Sequence, residues 1–202
     1  MLTIKRPLFM CGENPGLRLF APQSEQPVAV ASYWHCTHSA LGPGRALVLW
    51  LDVDAAPDLS VGNGGIFSDN MPLAHALVEQ LTQYFAEFQG LPVTTLPYVP
   101  AICRHSFDGR RYQVTCQASQ LQIALEWCDL LDQKYLHWPQ FPAGAAAYDL
   151  TTVICPCQTG QIAINEQRVP GNVQTGAAQD GAPTSTAFLA FAESWVGPVV
   201  IP

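Results

Sequence analysis

Residues 70–89, NMPLAHALVEQLTQYFAEFQ, carry the one clear helical pattern of the chain, between two long stretches that are typical of strands. Asp69 or Asn70 can begin the helix, and Gly90 can end it. Because one helix cannot cover both faces of a parallel sheet, we predict that the surrounding strands are mostly antiparallel. The apolar side chains that share one face at helical spacing are Leu73, Leu77, Val78, Leu81, Tyr84, Phe85 and Phe88.

Composition favours a single folded domain over residues 1–202. Of these residues 49% are apolar, which is enough for a sizeable core, and 12% are charged. Disorder needs low hydrophobicity and high charge, so this composition argues against it. No charged or low-complexity linker divides the chain into two parts.

The charge balance and the apolar runs exclude several classes of partner. The formal net charge is −7 with nine Lys and Arg, and no basic stripe exists, so we expect no nucleic-acid partner. No apolar run approaches a membrane span, and Pro7–Met10 is too short for the core of a signal peptide. We therefore expect a cytoplasmic protein in which most of the seven cysteines are reduced and buried. A homodimer is left open.

The first half of the chain predicts an irregular arm and a β-hairpin. Residues 1–26 contain Pro and Gly throughout, although 17–20 could be a short strand. Residues 28–54 predict two strands around a turn at 41–44. In that register His35 faces Trp50 and Tyr33 faces Asp52, so these four side chains share one face of the hairpin.

The second half predicts a β-meander over 101–196. Asp108-Gly109 is a two-residue hairpin signal that pairs His105 with Tyr112 on an apolar face. Alternating residues predict strands over 121–127, 135–138 and 186–196, and a hairpin whose arms are 150–155 and 161–169.

These elements predict an α+β fold that is mainly antiparallel β. About 8–10 strands would form a calycin-like β-barrel or a strongly curved sheet, with one packed amphipathic helix at about 70–89. "Calycin-like" describes the architecture only.

Several polar and aromatic side chains fall on strand faces that should point inward. Imidazoles and phenols in an apolar cavity can orient a ligand or transfer a proton, and a buried Glu must be paired or protonated. These residue types are also common in ordinary cores. The predicted catalytic residues are His35, His105, Tyr33, Tyr112 and Glu193. The predicted ligand-binding residues are Trp50, Asp52, Phe191, Trp195 and Trp127.

No cofactor motif is present, and we assign no metal ligand and no cofactor. Cys155-Pro156-Cys157 could join Cys36 and His38 in a zinc site, but buried unligated cysteines are the simpler interpretation.

Three functions are compatible with these patterns. The first is binding of a small, largely apolar molecule in a cavity lined by aromatic residues. The second is a cofactor-independent cyclase, isomerase or hydro-lyase that uses His and Tyr acid–base chemistry in the same cavity. The third is a protein-interaction module that uses exposed aromatic residues such as Trp138 and Phe141. The sequence does not decide whether the chain is an enzyme.

Overall fold

The structure is a computed structural model that describes residues 8–54, 62–143 and 146–198. These ranges contain one α-helix, α1 (Met71–Leu81), which is followed by short 3₁₀ turns at Thr82–Tyr84, Ala86–Phe88 and Val93–Thr95. Their strands are β1 (Leu8–Glu13), β2 (Gly16–Phe20), β3 (Pro27–Ser39), β4 (Gly44–Leu51), β5 (Gly64–Ser68), β6 (Tyr98–Pro100), β7 (Ile102–Phe107), β8 (Arg111–Ala118), β9 (Leu121–Leu130), β10 (Lys134–Ala143), β11 (Ala146–Ile164), β12 (Gln167–Arg168), β13 (Thr175–Ala177), β14 (Pro183–Ser185) and β15 (Ala187–Val196).

In the described ranges, one 13-stranded sheet dominates the fold, and β13 and β14 form a separate pair. Its strand order is β6-β5-β4-β3-β1-β15-β11-β9-β8-β7, with β2, β10 and β12 paired alongside. The strands pair antiparallel, apart from β5 with β6. The predicted fold class, a mainly antiparallel curved sheet with one helix, is therefore confirmed, although this sheet has more strands than predicted.

Side chains from both ends of this strand order meet in one apolar cluster, which we call the inner core. The sheet must curve strongly for strands so far apart in its order to touch the same cluster. Members of the inner core include Leu17, Ala31, Tyr33, Leu47, Leu49, Val114, Leu125, Trp127, Ile162 and Leu189.

The opposite face of β3 and β4 packs against α1 in a second apolar cluster, the helix layer. Asn70 begins the helix, because its side-chain oxygen accepts a hydrogen bond from the backbone N–H of Leu73 at 3.2 Å. The helix ends at Leu81, earlier than predicted, and Phe85 has extended backbone. Members of the helix layer include Val30, Trp34, Val48, Ile66, Leu73, Leu77 and Trp195.

The predicted register of the β3–β4 hairpin is wrong. His35 lies opposite Arg45, five residues from the predicted partner Trp50. The cause is that β3 continues beyond its ladder with β4, and its residue His38 pairs with Cys11 of β1. The connection is therefore wider than a four-residue turn. Because the shift is an odd number of residues, Trp50 moves to the face opposite Tyr33 and His35.

The β7–β8 hairpin is shifted by two residues from the prediction, so the predicted faces are confirmed. His105 lies opposite Val114, and Cys103 lies opposite Cys116. Those two cysteines form a disulfide with their Cα atoms 4.0 Å apart. The other five cysteines are free, as expected for most of them.

Two further predictions about strands are wrong. The predicted hairpin around 158–160 is the single long strand β11, which pairs first with β10 and β15 and then with β9. Gly160 makes no turn there; it allows close packing, because a Cβ would lie 2.6 Å from a methyl group of Leu17. The arm predicted to be irregular contributes β1 as well as β2, of which only β2 matches the short strand considered at 17–20; residues 1–7 lie outside the described ranges.

Gly12 allows β1 to approach β3 closely, because a Cβ at this position would overlap the carbonyl oxygen of His35. We expect Gly12→Ala to destabilise the fold by about 1–3 kcal/mol, the usual cost of overpacking a rigid contact. The urea midpoint measures this effect. The control is Gly176→Ala in β13, where the nearest atom is the Thr184 hydroxyl at 3.2 Å. Equal midpoints for the two variants would contradict the expectation.

Candidate functional site

Five side chains meet where one end of the inner core reaches the surface, and we call them the His–Glu cluster. Tyr33 and His35 lie on β3, His105 on β7, Tyr112 on β8 and Glu13 on β1. Strands β3 and β7 are not neighbours in the sheet, so the contacts between their side chains cross the inner core. The sequence predicts two separate pairs of these residues; the structure brings both pairs together and adds Glu13.

Two hydrogen bonds organise the cluster. The hydroxyl of Tyr112 donates to Oε2 of Glu13 at 2.6 Å. The hydroxyl of Tyr33 and Nδ1 of His105 share a bond of 3.2 Å. The rings of His105 and Tyr112 lie nearly parallel, 5.7 Å apart, and the two imidazole rings are 4.4 Å apart. Each tyrosine therefore holds one of the ionisable side chains in place.

A gap separates the carboxylate from both imidazoles. Oε2 of Glu13 lies 3.8 Å from Nδ1 of His35 and 3.9 Å from Nε2 of His105. Both distances are too long for hydrogen bonds. Nδ1 of His35 is buried and has no hydrogen-bond partner. The ligand atoms that these three residues offer lie within 4.8 Å of one another, so they could hold a metal ion.

Arg45 places a positive charge beside the cluster. It lies opposite His35 in the β3–β4 ladder, and Asp69 fixes it through both the backbone and the guanidinium. The Arg45 N–H donates to Oδ1 of Asp69 at 2.6 Å, and Nη1 lies 3.3 Å from Oδ2. Nε of Arg45 is buried without a hydrogen-bond partner.

Burial changes the proton affinities of the cluster. Desolvation raises the pKa of Tyr33 and of Tyr112 well above that of a free phenol, and Glu13 raises the pKa of Tyr112 further. Desolvation also lowers the pKa of His105, and neighbouring His35 lowers this pKa in the same direction. At neutral pH the phenols therefore keep their protons and His105 is a neutral imidazole.

Sequence reasoning misses Glu13 and Arg45. Glu13 lies in the arm that the sequence predicts to be irregular, and nothing local in that arm predicts its partner strand. The correct β3–β4 register would have found Arg45, because it puts Arg45 opposite His35.

Two predicted ligand-binding residues lie outside the cluster. Trp50 packs against the helix layer, on the other face of the sheet from Tyr33. Asp52 follows β4 in a turn, where its side chain accepts a hydrogen bond from the Asp54 N–H at 3.1 Å.

A bulge in β15 separates the predicted residues of that strand. Ala192 has a positive φ of 50°, and the ladder with β11 is irregular there. Phe191 therefore packs at the inner core, with its ring 5.9 Å from that of Tyr112. Glu193 and Trp195 instead belong to the helix-layer side, where the Trp195 indole N–H donates to Oε1 of Glu193 at 2.7 Å.

Trp127 is fully buried beside the cluster. Its indole N–H donates to the Gly16 carbonyl at 2.8 Å, and its ring stands edge-on to Tyr112 at 5.8 Å. Trp127 and Phe191 thus support Tyr112 by packing against it.

Glu193 is a buried carboxyl with a second buried carboxyl near it. Burial raises the pKa of Glu193 to about 7, the Trp195 bond lowers it and the Glu87 carboxyl raises it. Burial also raises the pKa of Glu87, whose Oε1 has no hydrogen-bond partner. A helix extending to residue 89 would point Glu87 outward; because the helix ends early, Glu87 is buried instead.

The cysteines considered for zinc are divided between the two clusters. Cys155 and Cys157 lie in the inner core, whereas Cys36 lies in the helix layer, and His38 is exposed. The sheet therefore separates Cys36 from the other two thiols.

A groove of about 590 Å³ lies on the outer face of β7, β8, β9 and β11. Most of the residues that line it are polar or charged, and the cluster touches it only through His105. It differs from the predicted cavity lined by aromatic residues. Its lining includes Arg104, Gln113, Glu126, Gln161 and Arg168.

No protein-family model and no curated protein matches the chain. Two solved structures of acetoacetate decarboxylase are similar to it at 11% identity. One has a TM-score of 0.39 and covers 96% of this chain and 87% of its own. The other, from Legionella pneumophila, has a TM-score of 0.40 and covers 99% and 90%. Likeness at this level supports no conclusion about activity. Within the described residues, no helix is long and apolar enough to cross a membrane.

The buried carboxyl of Glu193 should make stability depend on pH. Its pKa is about 7 in the folded chain, against an ordinary value of 4.5, so the folded state binds the proton more tightly. Glu193 then contributes most to stability below about pH 4.5, and this contribution falls by about 3 kcal/mol as the pH rises through 7. Glu87 acts in the same direction, and the Cys36 thiol is the other titratable group nearby.

We expect Glu193→Gln to remove about 2–3 kcal/mol of the stability difference between about pH 5 and pH 8. Urea unfolding at the two pH values measures it for the wild type and the variant. Glu79→Gln, on the exposed surface of α1, is the matched control. The same pH dependence in the wild type and in Glu193→Gln would rule out a raised pKa at this position.

Proposed function

We propose that the protein is an enzyme of lyase or isomerase type, which moves a proton on a small oxygen-bearing molecule at the His–Glu cluster. One observation carries the proposal: two hydrogen-bonded acid–base pairs, Tyr112 with Glu13 and Tyr33 with His105, face each other at a partly exposed end of the inner core. The side chains of Glu13, His35 and His105 are 27%, 21% and 22% exposed, so the cluster borders the surface, with Nδ1 of His35 on its buried side.

The residue types suit proton transfer. The buried, unpaired Nδ1 of His35 is available as a general base. The protonated phenol of Tyr33 can donate a hydrogen bond to a substrate oxygen and stabilise negative charge that develops on it, and that of Tyr112 can do so when the substrate oxygen replaces Glu13 as its acceptor. Such groups act strongly where water is largely excluded, as it is beside the buried ring of Trp127.

The position of Arg45 favours a substrate that is an anion or becomes one during the reaction. Its guanidinium lies beside Tyr33 and His105 closely enough to lower the pKa of both. Because Asp69 binds one edge of the guanidinium, the unpaired Nε–H remains free for an oxygen atom of the substrate.

The composition of the cluster favours proton transfer over catalysis through a Schiff base, a thioester or a serine ester. The five members include no amine, thiol or aliphatic hydroxyl that could attack a substrate. In the described part of the chain the one lysine, Lys134, lies elsewhere, with its ammonium 3.7 Å from Asp180.

Binding without chemistry is the second candidate, and the unpaired nitrogens of His35 and Arg45 favour it equally. A polar ligand fits these atoms better than the largely apolar ligand predicted from the sequence. The buried rings of Tyr112 and Trp127 lie 5.8 Å apart, and Phe191 packs on Tyr112 at 5.9 Å, so these rings occupy the interior beside the cluster.

Interaction through exposed aromatic residues is a weaker candidate. Tyr135 and Trp138 on β10 are 66% and 43% exposed. Phe141, however, is half-buried against Trp195, with the rings 5.3 Å apart. Of the two residues named from the sequence, Trp138 is therefore exposed and Phe141 is not.

Proton abstraction can be tested before the natural substrate is identified. The protein is incubated in D₂O with a simple ketone, a 2-oxo acid and a lactone, and NMR follows the loss of C–H signals beside each carbonyl. We expect exchange above the buffer rate for at least one class. His35→Ala and Tyr112→Phe should each slow it by about 100-fold, the lower range of acid–base contributions.

His38→Ala is the matched control, because His38 lies on the same strand but is exposed and pairs with β1. Its exchange rate should equal that of the wild type. Saturation-transfer signals from a compound without any exchange would favour the binding candidate. Exchange that survives His35→Ala and Tyr112→Phe would remove the cluster from the mechanism.

A further inference from the structure

We propose that Glu13, His35 and His105 form a binding site for one divalent transition-metal ion, of the kind exemplified by Zn²⁺ or Fe²⁺. The ion would occupy the gap between the carboxylate and the two imidazoles. The inference rests on the same cluster as the proposed function but does not depend on it.

The donor set has the composition of an open metal site. Two imidazoles and one carboxylate suit first-row transition ions and leave coordination positions for water or substrate. A set of three protein ligands is typical of catalytic rather than purely structural sites. The partial exposure of these three side chains leaves an entry path for the ion.

The distances between the carboxylate oxygen and the imidazole nitrogens fit an ion bound between them better than they fit direct hydrogen bonds. Oε2 of Glu13 lies 3.8 Å and 3.9 Å from the imidazole nitrogens, and all three donor atoms fall within 4.8 Å of one another. Two ligands about 2.1 Å from a tetrahedral ion are about 3.4 Å apart. Small side-chain rotations therefore convert the gap into a coordination sphere.

Two tyrosines make the outer contacts that metal ligands usually have. Tyr33 binds Nδ1 of His105 and so directs Nε2 of that ring toward Glu13. Tyr112 donates to the Glu13 carboxylate and fixes its orientation. Such contacts hold ligands in the rotamer and tautomer that the ion needs. The remaining ligand atom, Nδ1 of His35, is the buried nitrogen without a partner.

The ligands also lie on paired strands. Glu13 and His35 are direct partners in the β1–β3 ladder, and Gly12 permits the close approach of those strands. His105 is two residues from the disulfide that joins β7 to β8. Sites built on such elements hold their geometry better than sites on loops.

With the ion bound, His35 and His105 act as ligands. Tyr33 and Tyr112 then remain as the groups able to hold or move a proton, and Arg45 retains its place beside them. Because Nδ1 of His35 cannot be a metal ligand and a general base at once, the ion and the proposed proton abstraction are alternative uses of the cluster, and either can exist without the other.

The test uses the full chain, freed of metal with a chelator and titrated with Co²⁺ while visible absorption is recorded. A Cys11→Ser/Cys128→Ser background removes the two free thiols that are not fully buried. We expect one Co²⁺ per chain with the d–d bands of nitrogen and oxygen ligation. Zn²⁺ should displace the Co²⁺, and calorimetry gives its affinity.

Glu13→Gln and His105→Asn should each weaken binding by at least about 100-fold, because removing a ligand costs no less than removing its outer contact. Tyr112→Phe should weaken it by about 10-fold or more, and His38→Ala should leave it unchanged. Circular dichroism identifies any variant that fails to fold. If a ligand variant fails to fold, Tyr112→Phe, which keeps all three ligands, tests the metal affinity instead.

Three results would each overturn the metal site. They are absence of Co²⁺ binding, a Co²⁺ affinity of Glu13→Gln and His105→Asn equal to that of the wild type, and a strong near-ultraviolet band from thiolate ligation. The deuterium exchange of the carbonyl compounds, measured with the metal-free protein, separates the two proposals. Exchange without metal binding would leave the acid–base enzyme standing alone, and metal binding without exchange would leave the metal site standing alone.

Discussion

The curvature of the sheet around one inner core is the constraint on which the site depends. β3 and β7 are separated by six steps in the strand order, which would span about 29 Å in a flat sheet. The imidazole rings of His35 and His105 are nevertheless 4.4 Å apart. Curvature closes that distance, and it is maintained because residues from both ends of the sheet exclude water from the same apolar cluster.

Strand β3 serves two layers with alternate residues. Tyr33 and His35 face the inner core, while Trp34 and Cys36 face the helix layer. Polar chemistry and apolar packing thus share a single strand without mixing. The bulge at Ala192 extends this division to β15, because it lets Phe191 and Glu193, which alternation would put on one face, point into different layers.

Local sequence patterns predicted the helix and most strands, whereas the pairing of strands that are distant in the sequence could not be predicted from them. The helix and its Asn70 cap follow from spacing and residue type, and the inward faces of His105 and Tyr112 survive a two-residue error in register. The β3–β4 register fails because a third strand, β1, extends β3 beyond the hairpin.

The sequence likewise predicted those residues of the candidate site whose facing follows from local alternation, but not those that depend on long-range strand pairing. His35, His105, Tyr33 and Tyr112 stand on strongly alternating strands, and alternation alone indicates which way they face. Glu13 stands on a short strand between Pro and Gly residues, where only its two neighbouring strands specify its position. Trp50 and Asp52 were misplaced because an odd shift in register exchanges the two faces of a strand.

The position of β1 between β3 and β15 also bears on the order of folding. Leu8 pairs with Val196, so β1 gains its second neighbour only when strands from opposite ends of the sequence meet. Forming contacts of such long sequence separation costs loop-closure entropy, and chains with many of these contacts fold more slowly. The second neighbour of β1, β15, follows both imidazoles and both phenols of the cluster in the sequence and is therefore synthesised after them. A nascent chain that already contains both imidazoles and both phenols therefore still lacks an assembled site.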